Sequence, residues 1–140
     1  MKDWPALLRL LNEELGYAVR PVKPVLGYEL FSVDLSSWKL RLTDNTPVVW
    51  VKRADLENTA PQHLVQSLND VMRERNLSRQ IVLVLLEGDA EPMRRYLESP
   101  LLNLVVCGCE EQERIVGSRR PSGELLDLIS AQVPISSAAA

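Results

Sequence analysis

Ile81-Val82-Leu83-Val84-Leu85-Leu86 is the stretch that most limits what this chain can fold into. Six consecutive apolar residues of this kind suit a strand buried on both faces, and such strands belong to parallel sheets covered by helices. Pro47-Val48-Val49-Trp50-Val51-Lys52 is a second apolar, β-branched segment, with a turn marked by Asp44-Asn45 before it. Between the two, Asn58-Thr59 offers a cap and Pro61 opens a helix. Leu64, Val65, Leu68, Val71 and Met72 then line one face at helical spacing. A helix of that length can carry a right-handed crossover between parallel strands. A βαβ unit from Pro47 to Leu86 is the expected centre.

The flanks read in order. Asp3 suits an N-cap and Pro5 a first turn. Trp4, Leu7, Leu8, Leu11 and Leu15 form one apolar stripe, and Gly16 ends that helix. Pro21 and Pro24 forbid regular pairing between Tyr17 and Gly27, which predicts an extended connection or an edge segment. Tyr28 to Val33 is strand-like. Trp38-Lys39-Leu40-Arg41-Leu42 alternates strictly, the pattern of a half-exposed strand. After Leu86, Glu87-Gly88-Asp89 is a loop, and Asp89 can cap a short helix closed by Pro100. Leu102 to Val106 is a further strand, Glu110 to Val116 one or two helical turns, and Ser122 a cap for a last helix carrying Leu125, Leu126, Ile129 and Val133. The expected fold class is α/β, bordering on α+β, in the order α-β-β-β-α-β-α-β-α. Its single mixed sheet is antiparallel at one edge and parallel in the middle, flanked by helices. Residues 1–133 form one globular domain and 134–140 a disordered tail or the start of a linker.

Composition narrows the function classes. At 140 residues, 46% hydrophobic and 25% charged, the chain is of ordinary globular make-up. It has no run of about 18 apolar residues to cross a membrane. No secretory signal is visible, so cytoplasmic residence is the expectation. A net charge of −3 argues against a dedicated nucleic-acid-coating surface. Cys107 and Cys109, at i and i+2 on an expected strand, cannot easily bridge each other and read as reduced thiols.

In such a sheet, sites gather at the carboxyl ends of the parallel strands. Those ends carry Lys52-Arg53-Ala54-Asp55, Glu87-Gly88-Asp89 and Cys107-Gly108-Cys109-Glu110. Carboxylates can hold a hard metal ion, and a lysine can steady negative charge developing on phosphate. The bland reading makes Asp89 a helix cap and Glu87 a solvated loop residue. His63 is the single histidine and lacks partners for a zinc site or a triad. Nothing matches a phosphate-binding glycine loop or a nucleophile elbow. Arg73, Arg75 and Arg79 at a helix end complement its dipole.

Glu87-Gly88 after an apolar strand resembles the Glu-Gly of Toprim domains, but Cys107-Gly108-Cys109 stands where those domains carry a DxD pair. The element order more closely resembles the restriction-endonuclease-like, PD-(D/E)XK fold. That resemblance covers roughly Met1 to Leu86, by topology. It implies magnesium bound by acidic residues and a lysine that helps activate water. Lys52, on Trp50-Val51-Lys52, falls where the motif lysine would, Asp34 or Asp44 could stand for the first aspartate, and Gln62 and Gln66 fall on the following helix. Trp50 replaces the acidic residue two before the lysine, and an indole cannot coordinate magnesium. The chain is also similar to small N-terminal domains of bacterial STAND-type ATPases. The similarity lies in Leu42-Thr43-Asp44-Asn45-Thr46-Pro47-Val48-Val49, in Leu83 to Glu91, and in the linker-like ending Pro134-Ile135-Ser136-Ser137.

Two readings follow. The first is a non-catalytic protein-interaction or sensing module with a degenerate nuclease-like fold. It would bind a protein partner or self-associate, with no committed catalytic residue, metal or cofactor. Trp38, Leu40 and Leu42 would either form a sticky patch on the edge sheet or pack under the first helix. The alternative is a metal-dependent nuclease or phosphodiesterase using Asp34, Asp44, Lys52 and Glu87, with Mg2+ held by Asp44, Glu87 and Asp89. It requires these side chains to converge in one cleft. A small-molecule sensor near Gly88 and Gly108 would instead need a closed apolar pocket there.

Overall fold

Both faces of the central apolar strand are covered. A computed structural model describes residues 3–38, 42–77, 80–97 and 103–133. Strands β1 (Val19–Val25), β2 (Tyr28–Val33), β3 (Thr46–Val51), β4 (Val82–Leu86) and β5 (Leu104–Cys107) form one sheet in the order β1-β2-β3-β4-β5. β1–β2 and β2–β3 are antiparallel, and β3–β4 and β4–β5 are parallel. The expected mixed sheet is therefore present, with its antiparallel part on one side. The centre is the βαβ unit, in which Val48 pairs with Leu83 and Val51 with Leu86.

The period of two along each strand divides the core into two layers. Phe31, Val48, Leu83, Leu85, Val105 and Cys107 face one side. There they meet α1 (Ala6–Arg9, running on as a π-helical turn over Leu10–Glu14), α5 (Cys109–Val116) and α6 (Pro121–Gln132). Leu30, Val49, Val51, Val82, Val84, Leu86 and Val106 face the other. That side is covered by α3 (Pro61–Glu74) and the short α4 (Glu91–Arg94), through Leu64, Leu68, Val71, Met72 and Met93. Fully burying each such side chain contributes about 1.5–3 kcal/mol.

Several local expectations shift. The segment with Pro21 and Pro24 is β1 itself. It is an edge strand, where a missing N–H is tolerated, and its register with β2 slips between Val22 and Val25, so that Pro24 falls in the irregularity. Of the expected strand Trp38–Leu42, residues 39–41 lie outside the described residues, while Trp38 and Leu42 are buried outside any strand. Trp38 Nε1 donates to Tyr17 Oη at 2.7 Å, and both ends of the segment join the core beside α1. The sticky-patch reading is corrected for these two residues; Leu40 lies outside the described residues.

A short helix, α2 (Arg53–Asn58), precedes α3 and was not expected. Asp3, Thr59 and Ser122 are not N-caps. Pro5, Ala60 and Arg120 hold those positions without side-chain capping bonds, and proline at the first helical turn presets α3 and α6. Gly16, at φ +75°, turns the chain out of the first helix as expected. The 134–140 tail, Pro100, Leu102 and Arg79 lie outside the described residues.

Candidate functional site

The carboxyl ends of β3, β4 and β5 converge on one open cleft of about 510 Å³. Its wall is built from the three loops that leave those strands. Gly108 leads from β5 into α5. A Cβ there would lie 2.9 Å from both Ala90 N and Gly88 O, backbone atoms that cannot yield, so only glycine lets the two loops touch. The Cys109 N–H donates to Gly88 O at 2.9 Å, and Gln112 Nε2 donates to Leu86 O at 2.9 Å and Cys107 O at 3.1 Å. These bonds tie the ends of β4 and β5 together.

Charge around the cleft is mostly engaged. Arg94 Nη2 donates to both Glu111 carboxylate oxygens at 2.6 and 2.7 Å, and to Val106 O at 2.7 Å. The Arg53 backbone N–H donates to Glu87 Oε1 at 3.0 Å. The Glu91 N–H donates to Asp89 Oδ1 at 3.0 Å, but Asp89 is not the expected N-cap: Ala90 holds that position without a side-chain capping bond, and Asp89 bonds from the residue before it. Glu87, Asp89 and Glu110 remain accessible along the rim.

Both thiols are free. Burial, reinforced by the Glu111 carboxylate, pushes the Cys107 thiol up to about 12. Burial also raises Cys109, against the opposing pull of Arg53. Each is a neutral thiol at physiological pH and a poor nucleophile.

The structure brings Glu87 and Asp89 to one cleft but not Asp34, Asp44 or Lys52 with them. Asp34 and Asp44 follow β2 and precede β3, at the amino end of β3; the other three candidates follow β3 and β4 at the opposite end. The six residues of β3 alone span about 17 Å. Asp34 Oδ1 accepts the Ser36 hydroxyl at 2.6 Å and the Ser36 N–H at 3.1 Å, which lowers its pKa. Asp44 sits exposed in the turn before β3, accepting from Asn45 Nδ2 at 3.4 Å.

Lys52 is half-exposed. Its Nζ lies 3.2 Å from Glu29 Oε2 and 4.7 Å from the centre of the Trp50 ring. Among the described residues, no group of three or more His, Cys, Asp or Glu side chains is placed to hold a metal ion. His63, Gln62 and Gln66 are exposed on α3.

Glu29 is the residue that sequence reasoning missed. It is the cross-strand partner of Trp50 in the β2–β3 ladder, which sets its carboxylate beside Lys52. Only the register of the hairpin reveals that neighbour, and no local motif encodes it. The expected closed apolar pocket near Gly88 and Gly108 is instead the open, charge-lined cleft.

Two further clefts adjoin the first, and Glu87 lines all three. The second, about 400 Å³, has an apolar floor of Pro5, Trp50, Leu86 and Val116. The third, about 330 Å³, lies between α2, α3 and α4. Comparison of the chain with protein-family models, with curated proteins and with solved structures finds no match.

Proposed function

We propose that this chain is a non-catalytic protein-interaction or sensing module, the N-terminal domain of a larger, cytoplasmic bacterial multidomain protein, built on a degenerate restriction-endonuclease-like sheet. The observation that carries this reading is the setting of Lys52. A nuclease lysine works beside carboxylates that hold a metal ion and the scissile phosphate. Here Lys52 is held by Glu29 and lies over Trp50, while Asp34 and Asp44 stand at the other end of the sheet. Trp50 occupies the position two before the lysine and offers no ligand oxygen.

The order helix, three strands, helices, strand, with β3 and β4 parallel, is in keeping with the resemblance. The three clefts around Glu87 supply a face with an apolar floor and a rim of Glu87, Asp89, Glu110 and Glu113, which outnumber the exposed Arg53 among them. Such a face suits a protein partner better than a phosphate backbone, which its carboxylates would repel.

The test is a titration with Mg2+ or Mn2+ followed by amide NMR shifts, with and without a short DNA duplex. The module predicts no saturable site and no effect of the duplex. Saturable shifts converging on Glu29, Lys52 and Glu87, strengthened by duplex, would overturn it in favour of the metal-dependent nuclease.

A further inference from the structure

Leu26 is the most exposed large apolar side chain among the described residues, at 61%. It sits at the tip of the β1–β2 hairpin with φ +51°, where asparagine or glycine fits and leucine is strained. Strain of this kind gathers where a contact is made. The hollow beside Leu26 is lined by Lys23, Arg75 and one carboxylate, Glu74. Arg75 Nη2 donates to Lys23 O at 2.6 Å, and Lys23 makes no ion pair among the described residues. The tip is therefore an apolar knob in a net positive setting.

The cleft of about 400 Å³ floored by Pro5, Trp50, Leu86 and Val116 has the opposite character. Among the described residues that line it, the charged ones are Glu87 and Glu113, and none is basic. Glu113 makes no ion pair among the described residues, and the nearby Lys52 is engaged by Glu29. Knob and groove lie at one end of the sheet. Val25 pairs with Tyr28, and Glu29 with Trp50, so the hairpin tip reaches past the level at which β3 ends. The groove opens between the ends of β3 and β4, two strand spacings or about 10 Å across the sheet from the tip.

We propose that Leu26 docks in the Trp50–Val116 groove of a second copy of this chain, reciprocally, about a two-fold axis. Because knob and groove share one end of the molecule, a single axis seats both contacts and closes the pair. The apolar tip meets an apolar floor, and Lys23 and Arg75 meet Glu87 and Glu113. The inference rests on the reading of this face as an interaction surface and names its occupant. Two contacts of this size are small, so the pair is weak, with Kd about 100 μM.

The experiment follows the mass of the full chain by light scattering, and its amide NMR shifts, from about 10 μM to about 1 mM at low salt. The wild type is expected to pass from monomer to dimer, with shifts at Leu26, Gly27, Val116 and Gly117. Leu26→Asn suits the turn and leaves the monomer folded, and it should weaken pairing about tenfold or more, because the lost contact occurs twice. Lys23→Glu and Glu113→Lys should each weaken pairing alone. An equal mixture of those two variants should restore it, since each knob then meets a groove of opposite charge. A wild type still monomeric at about 1 mM overturns the proposal. So does pairing that survives Leu26→Asn, or charge variants that mixing does not rescue. A chain that fails here yet gives no saturable metal site remains an interaction module with another partner, so the two readings fall separately.

Discussion

The two edges of this sheet are closed by different means. β1 is closed mostly from within its own sequence, with Arg75 Nη2 adding one bond to Lys23 O at 2.6 Å. Pro21 and Pro24 remove donors, the register slips between Val22 and Val25, and Arg20 and Lys23 put charge on the strand. β5 has no proline and no charge: Leu104-Val105-Val106-Cys107 is wholly apolar and buried. Its closure is borrowed from Arg94, Glu111 and Gln132, which lie on three different helices. An edge that carries its own protection tolerates a loose surround. An edge protected from outside ties its safety to the integrity of the packing around it. The two should therefore respond very differently to single substitutions.

The largest expected effect is at β5. Glu111→Ala leaves the Arg94 guanidinium half-buried without its carboxylate and the Gly108 N–H without its acceptor. It should cost about 2–4 kcal/mol in urea unfolding, whereas Lys23→Ala on β1 should stay within about 0.5 kcal/mol. Equal costs at the two edges would break the comparison.

The same strand should make the fold sensitive to alkali. The Cys107 thiol is raised from 9.0 to about 12 by burial, so the unfolded chain gives up that proton first. Stability from this group is complete below pH 9 and falls as pH rises toward about 12, by about 1.4 kcal/mol per pH unit within that window. Comparing urea midpoints of wild type and Cys107→Ala from pH 8 to pH 11 checks this, and parallel pH profiles for the two chains would refute it.

The smallest effect lies at the β1 hairpin. Leu26 and Gly27 both have positive φ, at 51° and 86°, the signature of a tight turn that favours Asn-Gly. Leu26 is also 61% exposed, so little packing is lost on replacing it. Leu26→Asn should stabilise the chain by about 0.5–1 kcal/mol in thermal unfolding. A destabilised variant would mean that Leu26 makes a contact outweighing its backbone strain.

Much of the centre was legible because its signals are local. An unbroken apolar run at Ile81 to Leu86 admits one kind of environment, and Pro61 with the Leu64–Met72 stripe admits one kind of helix. What stayed open has a common form. Pro21 and Pro24 left both an extended connection and an edge segment open, and the structure takes the edge strand, which lacks a neighbour on one side and accepts them. Trp38-Lys39-Leu40-Arg41-Leu42 has the period of a half-exposed strand, and Trp38 and Leu42 do pack in the first layer of core, but neither of them lies in a strand. The candidate carboxylates failed to gather for a plainer reason. Asp34 and Asp44 lie at the amino end of β3 and Lys52 at its carboxyl end, so the length of the strand itself holds them apart.

The sequence by itself determined the βαβ unit, the two-sided burial of β4 and the mixed character of the sheet, because hydrophobic period and proline position act within a few residues of one another. The tertiary structure alone decided that Glu29 meets Lys52, that Gly108 must lack a side chain, and that Gln132 closes the edge at Val106. Those contacts join residues 23, 20 and 26 positions apart. Strand register and helix docking bring them together, and both are settled by burial summed over the whole core.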